Sequence, residues 1–209
     1  MANLLVLVVL SAVGGEMYSI KRIRGLDQAL VFQKTSKKYI GIEFPLSYLR
    51  RSKIFGVFDD DNQLVGGFLI VMEGDLRSFE SLPSLTCLPK KIDRWDVAEV
   101  NSLWLSKELR KSASSIVFWL FVIFQLLISG KKYFTYTYST SKSRLGNFYG
   151  RARPITIFEG ETKILEGMKE AEVESIEVVS RFNVAIAPIR SIAIITDRLM
   201  VNFKKLRSS

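Results

Sequence analysis

Residues 107–130, KELRKSASSIVFWLFVIFQLLISG, decide between a membrane-spanning chain and a globular one. The stretch begins with charged residues, passes through four small ones at 112–115, and is then almost wholly apolar over 116–130. That run of fifteen residues contains Gln125 and is shorter than the roughly 20 residues that span a bilayer as a helix. We therefore predict a buried helix. Its small-residue start is either a site for an anion, formed by free N–H groups, or an ordinary Ser-capped helix start preceded by charged residues.

The net charge of the chain favours an anionic partner. Thirty Lys and Arg against 21 Asp and Glu give +9 at pH 7, spread over the 209 residues in short clusters. This balance suits a nucleic acid, an anionic membrane surface or a phosphate-bearing small molecule. A solvated basic surface without a dedicated partner is the alternative. The length and the hydrophobic content of 48% are typical of a single globular domain.

The chain has no His, and Cys87 is its only Cys. An intrachain disulfide, a zinc site and a Ser-His-Asp or Cys-His catalytic group are therefore excluded. Catalysis by this chain must depend on carboxylates, Tyr, Lys, Ser or backbone groups, and we expect no metal cofactor.

Residues 2–15, ANLLVLVVLSAVGG, form an apolar opening that is too short for a membrane-spanning helix. Three interpretations stay open: a strand, a weak membrane anchor, or a translated extension upstream of the domain start. We accordingly divide the chain into an N-terminal extension, 1–15, and a single domain, 16–209. We expect a cytoplasmic protein, with membrane association through residues 2–15 left open.

Residue patterns along the rest of the chain predict alternating strands and helices. Two β-rich runs, 54–58 and 64–72, flank the polar turn DDDNQ and predict a hairpin. Further strands are predicted at 17–24, 95–106, 132–140 and 154–160. Further helices are predicted at 25–41, 43–52, 141–152 and 187–206, the last with Pro188 in its first turn. Residues 75–92 predict a loop or short turns, and the pattern over 161–181 is ambiguous between helix and strand.

The predicted order is β–α–α–β–β–β–α–β–α–β. It indicates an α/β (α+β) domain with a mixed, mostly antiparallel central sheet flanked by helices. In such a sheet a ligand is expected where a strand ends and a helix begins, which is where residues 110–115 lie.

Four segments resemble the GCN5-related N-acetyltransferase (GNAT) superfamily of acyl-coenzyme A N-acyltransferases. They are YSIKRIRGLDQALVFQ, IFGVFDDDNQLVGGFLIV with Gly66 and Gly67, AEVNSLWLSKELRKSASS, and YFTYTYSTSKSRLGNFYGRA. Together they extend over roughly residues 17–160. The resemblance implies an acyl-CoA N-acyltransferase-like fold and a substrate that is acetyl-CoA or a longer acyl-CoA.

The resemblance also implies a reaction and its catalytic residues. The acyl group moves from acyl-CoA to the amine of a small molecule or amino acid by direct transfer. Glu99 takes the position of the general base and Tyr149 that of the general acid, which protonates the departing thiolate.

The cofactor loop of the superfamily reads Gln/Arg, two residues, Gly, one residue, Gly/Ala. Here Arg110 fits, whereas Ala113 replaces the Gly and Ser115 the Gly/Ala. The loop keeps its backbone donors only if Ala113 needs no positive φ. The cofactor-binding residues implied by the resemblance are Leu103, Leu105, Arg110, Lys111, Ser112, Ala113, Ser114, Ser115 and Asn147.

Three alternatives to a CoA-dependent enzyme stay open. The first is a catalytically degenerate binding module, suggested by Ala113. The second is an N-acyl amino acid or acyl-homoserine-lactone-type synthase that takes acyl chains from an acyl carrier protein. The third is a basic protein that binds membranes or nucleic acid, although no nucleic-acid partner is expected from the resemblance. Aromatic residues that line an acyl tunnel, or simply the core, are Phe118, Trp119, Phe121, Phe124, Tyr133, Phe134 and Tyr136.

Overall fold

The computed structural model describes residues 8–11, 17–83, 89, 91–141, 149–192 and 196. Its strands are β1 (Val8–Ser11), β2 (Met17–Ile23), β3 (Ser52–Phe58), β4 (Leu64–Val71), β5 (Val97–Leu105), β6 (Tyr133–Ser139), β7 (Ile155–Glu161) and β8 (Val173–Ser180). Its helices are α1 (Leu26–Ile40), α2 (Leu46–Arg51), α3 (Arg77–Glu80), α4 (Lys107–Lys111), α5 (Ser114–Leu127) and α6 (Arg181–Arg190). Two 3₁₀ turns occupy Arg94–Asp96 and Gly150–Ala152.

The strands form one mixed sheet in the order β1-β2-β3-β4-β5-β6-β8-β7. Among the described strands, β5 and β6 make the parallel pair and the other neighbours are antiparallel. The predicted class, a mostly antiparallel sheet with helices on its faces, is confirmed. The opening stretch contributes strand β1 through its residues Val8–Ser11.

The parallel pair is short, and this decides where a ligand can enter. It covers Val97–Glu99 of β5 and Tyr133–Thr135 of β6. Beyond it β5 continues to Leu105 and pairs with β4, whereas β6 continues to Ser139 and pairs with β8. The two strands therefore diverge and leave a cleft in the sheet.

Each face of the sheet has its own hydrophobic core. Helix α5 packs on one face, where Phe118, Phe121 and Val122 are buried against the strands. Helices α1, α2 and α3 cover the other face, where Phe32 and Tyr48 are buried. No helix in the described part of the chain is both long enough and apolar enough to cross a membrane.

The helix predicted for 116–130 is present as α5, which is fourteen residues long and begins at Ser114. It is buried on one face only, since Val117, Leu120 and Phe124 are exposed. The pair Gly66 and Gly67 in β4 has a packing reason. A Cβ on Gly67 would lie 2.5 Å from the carbonyl oxygen of Phe55, and one on Gly66 would lie 2.6 Å from the Leu105 side chain. Gly67 therefore has no room for a side chain, whereas at Gly66 the end of the Leu105 side chain would have to shift.

The C-terminal helix differs from its prediction. Helix α6 begins at Arg181, so Pro188 lies inside it and not in the first turn. The start is set by Ser180, whose hydroxyl accepts a hydrogen bond from the backbone N–H of Asn183 (3.2 Å). The ambiguous stretch before it contains β8, because its β-branched residues pair with β6. Of the helix predicted at 141–152, residues 142–148 lie outside the described residues.

Candidate active site

A cavity of about 270 Å³ occupies the cleft between β5 and β6. Its buried apolar end lies near the parallel pair, and its polar end lies toward the tips of the two diverging strands. The apolar end is lined by Val100, Val122, Leu126, Phe134, Val179 and Val184. The polar end is lined by Asn101, Ser102, Thr137, Tyr138, Ser139, Arg151, Glu172 and Glu174.

Strand β5 is bulged where it borders the cavity. Gly67 of β4 pairs with Trp104 and Leu69 pairs with Asn101, so two residues of β5 oppose one of β4. Ser102 in this bulge has φ +50°, which is rare for a residue with a side chain. The Asn101 side-chain oxygen accepts a hydrogen bond from the Ser102 backbone N–H (2.8 Å) and so stabilises this conformation.

The Ser102 hydroxyl is a polar group without a partner in the described part of the chain. The residue lines the cavity and is only 3% exposed, and its Oγ makes no hydrogen bond. Because a buried polar group usually has a partner, a polar ligand atom at this level of the cavity would satisfy it.

Tyr149 lies in a cluster of aromatic rings on the cavity wall. Its ring centroid is 4.7 Å from that of Tyr136, 5.7 Å from that of Tyr138 and 6.5 Å from that of Trp119. Burial, with the nearby Glu177 and Tyr138 as smaller causes, raises the pKa of Tyr149 to about 12. The phenol is therefore protonated throughout the neutral range, as a proton donor must be.

Glu177 of β8 holds the tyrosines of β6 in place. Its carboxylate accepts hydrogen bonds from the Tyr136 hydroxyl (2.7 Å) and the Tyr138 hydroxyl (3.0 Å). Burial and this carboxylate raise the pKa of Tyr136 well above its usual value. The sequence did not identify Glu177, because its segment was ambiguous and its pairing with Tyr136 follows from the strand order.

Glu99 is fully buried, and its carboxylate has four donors. Oε2 accepts hydrogen bonds from the Tyr48 hydroxyl (2.7 Å) and the Arg77 backbone N–H (2.9 Å). Oε1 accepts from the Ser78 backbone N–H (2.7 Å) and from its hydroxyl (2.5 Å). Glu99 thus joins α2 and the start of α3 to the sheet. It is not among the residues that line the cavity.

Two hydrogen-bond paths connect Glu99 to the cavity. In the first, the Thr137 hydroxyl donates to the Ser78 hydroxyl (3.0 Å), which donates to Glu99. In the second, the Asn101 side-chain amide donates to the Tyr48 hydroxyl (3.4 Å). Thr137 and Asn101 both line the cavity, so Glu99 lies one intervening residue away from it.

The loop before α5 has backbone N–H groups that meet no acceptor among the described residues. Ser106 caps α4 by accepting from the Leu109 backbone N–H (3.2 Å), whereas α5 has no side-chain cap. Within the described residues, the backbone N–H groups of Ala113 and Ser114 meet no acceptor. Ala113 has φ −61° and ψ −27°, so this position requires no glycine.

The same loop carries positive charge and a buried hydroxyl. Lys107, Arg110 and Lys111 are exposed, whereas the Ser114 hydroxyl is buried and has no partner in the described part of the chain. The loop adjoins the cavity through Ile116, which lines it. Free N–H groups, a helix dipole and basic side chains together favour an anion here.

The predicted site residues therefore lie in three groups around one cleft. Tyr149 and Leu103 line the cavity, residues 110–115 lie at the start of α5, and Glu99 lies behind the sheet. Leu105 is buried in the core beside Gly66 and does not line the cavity. Asn147 lies outside the described residues. Sequence reasoning missed Tyr48, Ser78, Asn101, Thr137 and Glu177.

No protein-family model matches the sequence, and comparison with curated proteins finds no match either. Solved structures do match. One is FeeM, an N-acyl amino acid synthase from uncultured soil microbes, with a TM-score of 0.52, 14% identity, and coverage of 80% of this chain and 92% of that one. Mycobacterium smegmatis RimJ in complex with CoA-disulfide has a TM-score of 0.52 and 11% identity, and covers 90% of this chain and 93% of its own.

A probable acetyltransferase from Staphylococcus epidermidis also matches, with a TM-score of 0.52 and 11% identity over 78% of this chain and 99% of that one. At such identities the likeness is one of fold. This chain has the α+β fold that these three proteins share.

Proposed function

On the premise that this chain has the GCN5-related N-acetyltransferase fold, we propose that it is an N-acyltransferase. It moves an acyl group from acyl-CoA to the amine of a small molecule or amino acid. The observation that carries the proposal is the cleft between β5 and β6. In this cleft the start of α5, whose Ala113 and Ser114 N–H groups meet no acceptor among the described residues, adjoins the cavity. The cavity is lined by Tyr149, which is protonated at neutral pH.

The start of α5 supports a site for the pyrophosphate of CoA. The backbone N–H groups of Ala113 and Ser114 are its donors, and Arg110 and Lys111 supply positive charge. The pantetheine arm then runs along β5 past Leu103 into the cavity. The conformation of Ala113 removes the argument for a degenerate binding module, because that argument assumed that the loop needs a glycine at this position.

The reaction is a direct transfer that needs no covalent enzyme intermediate. The amine nitrogen attacks the thioester carbonyl carbon, an N–C bond forms, and the C–S bond breaks. The thiolate that leaves takes the proton of the Tyr149 hydroxyl. Tyr149 suits this role because its raised pKa keeps the proton in place until a stronger base forms beside it.

The proton lost by the amine passes to Glu99 through two hydroxyls. Thr137 accepts it from the amine and passes its own proton to Ser78, which passes its proton to Oε1 of Glu99. The direction of the two hydrogen bonds supports this order, since Thr137 donates to Ser78 and Ser78 donates to Glu99. Glu99 then acts as a base at a distance, which fits its position behind the cavity wall.

The test is the release of free CoA from acyl-CoA in the presence of a panel of primary amines and amino acids. We expect Tyr149→Phe to lower kcat by about 100-fold or more while CoA binding, measured by calorimetry, stays nearly unchanged. Tyr133→Phe is the matched control, because Tyr133 is in β6 but does not line the cavity. If neither acetyl-CoA nor a longer acyl-CoA binds at millimolar concentration, the proposed function is wrong.

The proposed proton path from the amine through Thr137 and Ser78 to Glu99 has a test of its own. Thr137→Val keeps the shape of the side chain but removes the hydroxyl. Because the variant has no proton path to Glu99, only amine that is already deprotonated in solution can react. We expect kcat/KM to fall near neutral pH and to recover as the pH approaches the pKa of the amine. The control is Thr156→Val, an exposed threonine in β7. A pH profile identical to that of the wild type would exclude Thr137 from the proton path.

A further inference from the structure

The cavity extends beyond the level of Tyr149 into an apolar end that acetyl transfer does not require. Tyr149 contacts Trp119 of α5, and Leu126 lies seven residues further along the same helix. At a rise of 1.5 Å per residue, this places the inner end roughly 10 Å beyond the aromatic cluster. An acetyl group bound with its thioester at Tyr149 would leave that end unfilled.

The lining is mixed, with polar and apolar side chains, at the outer end of the cavity and apolar at the inner end. At the outer end Asn101, Thr137 and Ser139 present polar groups, and the Ser102 hydroxyl has no partner in the described part of the chain. At the inner end Phe134 is fully buried, and Leu126 and Val184 are 6% and 5% exposed. A ligand that matches this gradient has a polar head and an aliphatic tail.

Helix α6 provides one wall of the cavity, from the apolar end at Val184 to the level of the turn that follows Tyr149. Val184, Ala187, Pro188 and Ser191 line the cavity, and their spacing of three, four and seven residues places them on one face of the helix. The hydrogen bonds between Arg151 and the Arg190 carbonyl, and between Arg190 and the Arg151 carbonyl (3.2 and 3.4 Å), connect the end of the helix to the turn that follows Tyr149. The wall is therefore tied to the catalytic end of the site.

The size of the cavity limits the length of the tail. If each atom takes the about 30 Å³ that a water molecule occupies in the liquid, the cavity of about 270 Å³ holds roughly nine atoms, and the polar head and the aliphatic tail of the ligand share this volume. The small side chain of Ala187 leaves space that a larger residue at this position would occupy.

We propose that the acyl donor carries a medium-length aliphatic chain, and that α6 sets its length through Ala187 and its neighbours. This inference rests on the proposed function for the position of the thioester. The tail lies between α5 and α6, with its end near Phe134 and Val184. Because the polar head takes part of the volume of roughly nine atoms, the optimal chain has at most about eight carbons.

The test measures binding by calorimetry for CoA and for straight-chain acyl-CoAs from acetyl-CoA to dodecanoyl-CoA. We expect Kd to fall by up to roughly fourfold for each added methylene, to reach a minimum between butyryl-CoA and octanoyl-CoA, and then to rise. Turnover with the best amine is measured in parallel. If no chain from butyryl-CoA to octanoyl-CoA binds more tightly than acetyl-CoA, the inference is overturned, whatever the turnover.

Failure of the proposed function gives a different result. If affinity rises with chain length but no amine is acylated, the chain-length inference stands and the enzymatic function is wrong. If acetyl-CoA is turned over and longer chains are rejected, the function stands and the inference is wrong.

A matched pair of variants tests the role of α6. Ala187→Phe fills the inner end, so the ratio of octanoyl-CoA to butyryl-CoA affinity should fall at least tenfold. Ala185→Phe adds the same ring to the same helix at an exposed position and should leave that ratio unchanged. Circular dichroism establishes that both variants are folded. The binding of the acyl-CoA series by the wild-type protein tests the chain-length proposal independently of either variant. Equal ratios in the two variants would remove α6 from chain-length selection.

Discussion

At the residue scale, the side chain with the most consequences is Glu99. Its carboxylate accepts four hydrogen bonds, from Tyr48, from the backbone of Arg77 and from two groups of Ser78, in a fully buried setting. These donors connect two helices to the middle of the sheet. Glu99 is therefore a structural residue as well as the proposed end of the proton path.

We expect Glu99→Gln to lower the free energy of unfolding by roughly 3 kcal/mol. The amide keeps one acceptor oxygen but turns an NH₂ group toward N–H and O–H donors, so buried donors lose their partner. Urea denaturation measures the change. Glu80→Gln, an exposed position in α3, should change the stability by less than about 0.5 kcal/mol. Equal stability of Glu99→Gln and the wild type would contradict the hydrogen-bond assignment.

Activity separates the two roles of Glu99. If it only supports the fold, Ser78→Ala should lower stability while the pH profile of kcat/KM keeps its shape. If Glu99 is the proton acceptor, the same variant should shift that profile as Thr137→Val does. Steady-state rates across the neutral and alkaline range decide between these outcomes.

At the element scale, the start of α5 determines whether the loop can bind a phosphate. Ser112 has φ −84° and ψ 161°, and Ala113 has φ −61°. The first is the conformation that a residue before proline adopts, and the second is the φ that proline itself requires. A proline at position 113 therefore fits the backbone and removes a single N–H donor.

We expect Ala113→Pro to keep the stability of the protein and to weaken CoA binding roughly tenfold, because a hydrogen bond to a charged group is lost. Ala113→Gly keeps the N–H and should bind CoA like the wild type, at a stability cost of about 0.5–1 kcal/mol. Calorimetry with CoA and thermal unfolding measure both effects. Unchanged CoA binding by the proline variant would exclude the Ala113 N–H as a phosphate donor.

At the scale of the whole molecule, buried and half-buried tyrosines couple stability to alkaline pH. Burial is the first cause that raises the pKa of Tyr48, Tyr136, Tyr138 and Tyr149, the last to about 12. In the unfolded chain a tyrosine loses its proton near pH 10. The folded state therefore holds these protons longer, and its stability is fully present below pH 10.

We expect the free energy of unfolding to fall as the pH rises from 10 to 12. Tyr149 alone should contribute a slope of roughly −1.4 kcal/mol per pH unit in this window. Urea denaturation at several pH values, together with the phenolate absorbance of the native state, measures the loss. Tyr149→Phe should reduce the slope by the contribution of Tyr149. Tyr133→Phe is the control for replacing a tyrosine by phenylalanine elsewhere in the protein. A slope in the Tyr149→Phe variant that equals the wild-type slope would contradict the assignment.

Several elements were predictable because their signals are local. The hairpin at 54–58 and 64–72, the helix of 116–130 and the Ser-rich start of that helix follow from residue periodicity and capping rules. The start of α6 was misplaced, since Pro188 is a weaker signal than the Ser180 cap. The strand β8 escaped prediction because its residues are buried only through their neighbours in the sheet.

The sequence by itself determined the kinds of chemistry open to this protein. With no His and one Cys, catalysis by this chain must depend on carboxylates, Tyr, Lys, Ser or backbone groups. The tertiary structure alone decided which of these groups meet. Glu99 reaches the cavity only through Ser78 and Thr137, and Glu177 reaches Tyr136 only because β8 pairs with β6. The physical reason is the distance along the chain between the groups that interact. Residue periodicity depends on neighbours within one helix or strand. Hydrogen bonds across the sheet and the depth of the cavity depend on strand order and on where two strands diverge.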